Sequence, residues 1–187
     1  LRDAITMRRG GADAAVLAIV MKFKGLAGLL ATAAIVACAA AAAGAAAPRG
    51  LEAGDDLAAA GRLARERGVP ILLAFTQASC GYCTIAKRDY LIPMHEDEKL
   101  RHRVLIREVD IDRPGTMRDF TGRAVSRAAF AQRYRVSRVP TVIVVDHAGE
   151  ALAEPVVGLL IADFYRLHLE HAIEEGLARL RAARRAG

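Results

Sequence analysis

Cysteine is scarce, with three residues in 187. One of them, Cys38, sits in an alanine-rich apolar stretch, which leaves Cys80 and Cys83 for the rest of the chain. A single close pair excludes a disulfide-stapled scaffold, which needs several crosslinks. It also excludes a self-contained structural zinc site, which takes four ligands. An excess of one charge is missing as well. Leu1–Ala47 carries five of the 27 Lys+Arg and two of the 21 Asp+Glu, so the remainder has a net charge of only +3, with both signs interspersed. That balance argues against a nucleic-acid-binding surface. The one long apolar run is Gly25 to Ala47. The chain beyond Ala47 is long enough for one domain with one core.

The apolar run comes after Met21-Lys22-Phe23-Lys24 and ends in small residues. A positive segment, an apolar segment and an Ala-x-Ala end have the form of a secretory signal peptide, here with cleavage expected near Ala45 to Ala47. Leu1 to Val20 then reads as upstream translated sequence or an extended positive region. Arg8-Arg9 is a poor match to a twin-arginine signal. Two alternatives accompany the cleaved signal. The 23 residues are long enough to span a bilayer as an uncleaved anchor. Ile35-Val36-Ala37-Cys38 also loosely matches a lipoprotein signal, with Cys38 lipidated. The expected division is an upstream segment and signal peptide over 1–47 and a folded domain over 48–187, exported to the periplasm.

Along the body, Pro48 to Gly54 reads as a linker. Asp55-Asp56 opens an amphipathic helix that Gly68 ends. Ile71 to Phe75 is continuously apolar, as in a central strand covered on both faces. A helix is expected from Cys80 to about Tyr90, with Pro93 as a break or kink and Met94 to Arg101 continuing it. Arg103 to Asp112 reads as a second strand. Arg113 to Arg123 reads as a loop with one short strand near Asp119-Phe120. Ser126 is a plausible N-cap for a helix through Tyr134. Val142 to Val145 reads as another buried strand, His147 to Glu150 as a hairpin turn, and Ala151 to Val157 as an edge strand. Leu159 to about Arg184 is the closing helix, with Leu160, Phe164, Leu167, Ile173, Leu177 and Leu180 expected on its inner face. This order predicts an α/β fold: a small central mixed sheet with helices on both faces.

The chemistry concentrates in Ser79-Cys80-Gly81-Tyr82-Cys83. A strand, a short turn and a helix opening at Cys80 put that thiol where backbone N–H groups and the helix dipole stabilise a thiolate. Cys83, one turn on, can close a disulfide back to it. Cys80 is expected to attack a substrate disulfide and Cys83 to resolve the mixed disulfide; in reverse, the same steps oxidise a substrate. No cofactor is required. The metal reading is Cu(I) held by the two thiolates. It wants a nearby His, and neither His95 nor His147 is convincingly placed, while His168 and His171 read as solvated. Lys87 reads as a surface lysine.

These features resemble the thioredoxin fold over about residues 52 to 180. The resemblance rests on Phe75, Cys80-Gly81-Tyr82-Cys83, Tyr134-Arg135-Val136, Val139-Pro140-Thr141 and Gly158. It implies a cis proline at Pro140 beside the disulfide. Val139 is then left free to pair with an extended substrate segment, and Gly81 and Tyr82 tune the pair. Within the family, the Asp-Ile-Asp segment, the loop through Phe120-Thr121-Gly122 and the Val-Pro-Thr strand look most like periplasmic thioredoxins associated with sulfur oxidation (SoxW-like). Three departures stand out. There is no tryptophan, so Ser79 takes the place of the usual aromatic. Gly81-Tyr82 replaces Gly-Pro. Ala74 occupies the position of the family's buried proton-relay Asp; Asp110 and Asp112 are its alternatives, though strand-end solvation is the simpler reading of both. The resemblance implies a monomeric, exported thiol–disulfide oxidoreductase. It would reduce cysteines of partner proteins and be kept reduced by a membrane electron donor. A disulfide oxidase or isomerase and a copper-binding chaperone are the alternatives.

Overall fold

The computed structural model describes residues 50–159 and 162–186. The signal-peptide, anchor and Cys38 expectations lie outside the described residues, as does Leu160. Helix α1 (Leu57–Arg67) begins where Asp56 accepts the Ala59 N–H at 2.8 Å and ends at Gly68, whose φ of 68° suits a residue without a Cβ. Beyond Leu57 its buried face is small, Ala60, Gly61 and Ala64. A Cβ on Gly61 would collide with the backbone carbonyl of His147, so the helix sits close against that turn. Strand β1 (Ile71–Thr76) is buried at every residue. Full burial of each of its large apolar side chains contributes about 1.5–3 kcal/mol.

β1 pairs in parallel with β2 (Leu105–Asp110) and antiparallel with β5 (Thr141–Val145), which pairs antiparallel with β6 (Val156–Val157). The sheet order is β2-β1-β5-β6. The expected mixed sheet with helices on both faces is therefore found. On one face Leu73, Phe75, Val109 and Ile143 pack with Leu57 of α1 and with Phe130, from a helix over Arg127–Arg133. On the other, Leu72, Ala74, Ile106 and Val142 pack with Ala86, Leu91 and Met94 and with the closing helix.

Several expected elements have different bounds. Helix α2 (Gly81–Ile85) runs without a break through a π-helical segment (Ala86–Leu91) into α3 (Ile92–Glu96), so Pro93 does not end it. Proline lacks the N–H that an α turn would use, and the widened turn before it, where Ile92 N–H reaches Lys87 O, accommodates that loss. The break falls at Asp97, whose side chain accepts the Lys99 N–H at 2.9 Å and caps the short α4 (Glu98–Arg101).

The strand expected at Asp119-Phe120 is instead a hairpin of β3 (Thr116–Arg118) and β4 (Ala124–Ser126), with Asp119 in its turn. Asp119 Oδ1 accepts the Thr121 and Arg123 N–H groups and the Thr121 hydroxyl; Oδ2 accepts from Arg133 at 2.7 Å. A carboxylate with four donors organises a turn, which is why the pairing residues lie to either side of it. Ser126 caps α5 (Arg127–Arg133) as expected, accepting the Ala129 N–H at 3.2 Å.

The Ala151 to Val157 edge strand contracts to β6 and a Val145–Ala151 bridge; Pro155, with no N–H to offer, lies between them. In α6 (Ala162–Ala186) the buried residues are Tyr165, Leu169, Ala172, Ile173, Gly176 and Leu177. Ile173 and Leu177 face inward as expected, but Phe164 and Leu167 are 53% and 59% exposed. Both lie on the far side of the helical wheel from Leu169, and the small Ala172 and Gly176 make the close contacts instead.

Burial opposes ionisation of Asp119, but the bonds from Arg133, Thr121 and Arg123 outweigh it and hold the carboxyl well below the usual carboxylate range. A depressed folded-state pKa contributes stability above the unfolded value, about 3.9, that is lost as pH falls through the folded value. Asp119→Asn should therefore be less stable than the wild type in urea unfolding at pH 7, and the difference should narrow steadily below pH ~4. A difference independent of pH would show that the carboxylate charge is not what organises this turn.

Candidate active site

β1 ends at Thr76, and a turn closed by Cys80 N–H on Gln77 O, 3.2 Å, brings Cys80 to the N-cap of α2. There Cys80 has an extended backbone, φ −90° and ψ 107°, so the following N–H groups point toward its sulfur. Its Sγ accepts the Cys83 N–H at 3.0 Å. A disulfide joins Cys80 to Cys83, whose Cα atoms are 5.2 Å apart. The two sulfurs are not equivalent. Cys80 is half-buried, whereas Cys83 is wholly buried. Gly81 and Tyr82 between them are exposed, Tyr82 at 63%.

The opposite wall comes from the segment leading into β5. The Val139–Pro140 peptide is cis, and the Val139 carbonyl oxygen lies 3.8 Å from Cys80 Sγ. Thr141 Oγ1 donates to Arg138 O at 2.8 Å, and Pro140 O accepts the Gly158 N–H at 2.7 Å, so both flanks of Val139 are fixed. Among the described residues Val139 itself makes no backbone hydrogen bond. The structure thus brings together Cys80, Cys83, Gly81, Tyr82, Val139 and Pro140.

The reading of Lys87 as a surface lysine is corrected. Its Nζ donates to Glu108 Oε1 at 2.8 Å, and the two side chains are only 31% and 19% exposed. The same oxygen accepts from Thr76 Oγ1 at 2.6 Å. Glu108 and Thr76 were not singled out from the sequence. The available signal was alternation along β2: Ile106 faces this core, so a charged residue two positions on shares its face. Asp110 and Asp112 lie at the strand end as expected, Asp110 Oδ1 accepting the Asp112 N–H and Asp112 Oδ1 accepting from Gln77 Nε2. His147, His168 and His171 are exposed and His95 is half-buried on α3. Among the described residues no group of three or more His, Cys, Asp or Glu is arranged to hold a metal ion.

What this arrangement can do is two-electron thiol chemistry: one accessible sulfur at a helix N-terminus, one shielded sulfur in reach of it, and a free strip of backbone alongside. A family model described as a thioredoxin-like domain matches residues 57–173. Among curated proteins nothing matches significantly. Similar solved structures include mitochondrial thioredoxin 3 from Saccharomyces cerevisiae in its oxidised form (15% identity, TM-score 0.46, covering 67% of this chain and 94% of that one). Thioredoxin from Fasciola hepatica is another (17%, TM-score 0.47, 67% and 99%). Thioredoxin O2 from Arabidopsis thaliana, oxidised, is a third (21%, TM-score 0.47, 69% and 96%).

The unequal burial of the two sulfurs has a direct readout. In the reduced protein at pH 7, iodoacetamide should label Cys80 at least about tenfold faster than Cys83, because reaction needs an accessible thiolate. Equal rates, read by peptide mass mapping, would contradict the asymmetry.

Proposed function

Because the chain belongs to the thioredoxin-like domain family, we propose that it reduces disulfides of partner proteins through Cys80 and Cys83, outside the cytoplasm. The family fold and the close cysteine pair make it a thiol–disulfide oxidoreductase. In the proposed cycle the Cys80 thiolate attacks one sulfur of a substrate disulfide and expels the other as a thiolate. A Cys80–substrate mixed disulfide results. Cys83 then attacks Cys80 Sγ, releasing the second substrate thiolate and leaving the Cys80–Cys83 disulfide; two electrons pass to the substrate. The observation that carries this reading is the division of labour in burial: the attacking sulfur is reachable and the resolving sulfur is shielded by the protein.

Val139 supports a protein substrate. Its unused backbone groups, set beside Cys80 Sγ by Pro140, suit pairing with an extended segment that carries the target cysteine. Tyr82, exposed next to Cys80, adds an apolar face to that docking strip. Gly81 and Tyr82 tune the pair. Export to the periplasm rests on the form of residues 1–47. The reducing direction, the membrane electron donor, the monomeric state and the narrower kinship to SoxW-like thioredoxins rest on the sequence resemblance.

Insulin reduction with a chemical thiol as electron source tests the cycle. Wild type should turn over, Cys80→Ser should lose turnover, and Cys83→Ser should stop at a covalent adduct visible on a non-reducing gel. Turnover retained by Cys80→Ser would overturn the assignment of the attacking sulfur.

A further inference from the structure

Resolution of the mixed disulfide creates a proton problem that the cysteines cannot solve. Cys83 must act as a thiolate, yet its side chain is wholly buried, and burial disfavours the charged form. Some group has to take the proton as Cys83 attacks. Ala74, a buried position of β1 on this face, carries only a methyl group. The neighbouring strand supplies what β1 does not: in the β1–β2 register Ala74 stands opposite Glu108, on the face covered by the redox helix.

Glu108 is built into a network. Lys87 lies four residues after Cys83, one turn along on the same side of the helix, and donates to Glu108 Oε1 at 2.8 Å. Thr76, wholly buried at the end of β1, donates to the same oxygen at 2.6 Å. The Glu108 side chain is 19% exposed, so solvent reaches it without flooding it. The other charged groups at this end of the sheet are Asp110, bonded to the Asp112 backbone, and Asp112, bonded to Gln77. Both are engaged in the strand-end turn, and neither belongs to the Thr76–Lys87 network.

From this geometry we infer that Glu108, held in place by Lys87 and Thr76, accepts the Cys83 proton during resolution of the mixed disulfide. The inference rests on the dithiol exchange proposed above. The Cys83 S–H bond breaks and its proton passes, directly or through one bridging water, to the free carboxylate oxygen of Glu108. The sulfur electron pair forms the bond to Cys80 Sγ, and the Cys80–substrate bond breaks with its pair leaving on the substrate thiolate. In reverse, the protonated Glu108 returns the proton to Cys83. Lys87 and Thr76 both donate to Oε1 and so hold the carboxylate in place with its other oxygen left for the proton.

The test is single-turnover reaction of the reduced full chain with oxidised glutathione, quenched in acid and read by mass spectrometry, which separates the glutathione adduct from the intramolecular disulfide. Glu108→Gln should accumulate the adduct, with resolution slowed roughly a hundredfold or more at pH 7, the low end of what a positioned base contributes. Its Cys80 alkylation rate should stay within about twofold of wild type, because Cys80 draws on the helix N-terminus instead. Resolution in Glu108→Gln should rise about tenfold per pH unit between pH 6 and 8, while wild type changes little. Glu108→Asp should recover part of the rate. Lys87→Met, which leaves the carboxylate in place, should slow resolution less than Glu108→Gln and serves as the second variant if the first does not fold. Resolution in Glu108→Gln with the wild-type rate and pH profile would overturn the inference, as would equal slowing of adduct formation and resolution. If wild type forms no adduct at all, the exchange reading falls and this inference falls with it.

Discussion

The pairing of β1 with β2 on one side and β5 on the other sets where every group at the site stands. The strand is apolar and buried throughout, so its register is locked by both covered faces. Phe75 opposite Thr141 places the start of β5, and with it Val139 and Pro140, beside the turn that carries Cys80. Ala74 opposite Glu108 places a carboxylate beneath the redox helix. A one-residue slip would turn Leu72 and Ala74 toward the wrong layer and carry both walls of the site away from the cysteines.

On that frame the two sulfurs acquire different chemistry from their surroundings. Cys80 caps a helix, receives an N–H and meets solvent and the Val139 carbonyl. Cys83, three residues on, is enclosed. Helix geometry accounts for both facts, since a residue one turn into α2 points back toward the layer that the helix covers. The π-helical segment beyond it has a similar consequence: it carries the helix past Pro93, so that Leu91 and Met94 reach the core and Lys87 reaches Glu108 within one continuous element.

Much of this was legible in the chain. The continuous apolar runs of β1 and β5, the Asp55-Asp56 helix start, the Ser126 cap, Gly68 and the Cys-x-x-Cys spacing each act locally, and each led to the element it implies. The misreadings came where tertiary packing decides. Phe164 and Leu167 are as apolar as the residues that α6 buries, but the helix seats itself on Ala172 and Gly176, which composition does not advertise. Asp119 looks like any loop aspartate until Arg133 arrives from α5. Lys87 and Glu108 are 21 positions apart and meet only when helix and strand are stacked, so neither residue alone signals the pair.

The central claim is that Cys80 and Cys83 cycle reversibly between dithiol and disulfide and that the protein works as a reductant. Equilibration of the full chain with glutathione buffers, with the two states counted by mass after alkylation, measures this directly. The account predicts one reversible two-electron transition with a potential near or below about −230 mV, on the thioredoxin side of the scale. A potential of about −120 to −180 mV would contradict the reducing role in favour of an oxidase or isomerase, and no reversible transition would contradict the redox assignment itself.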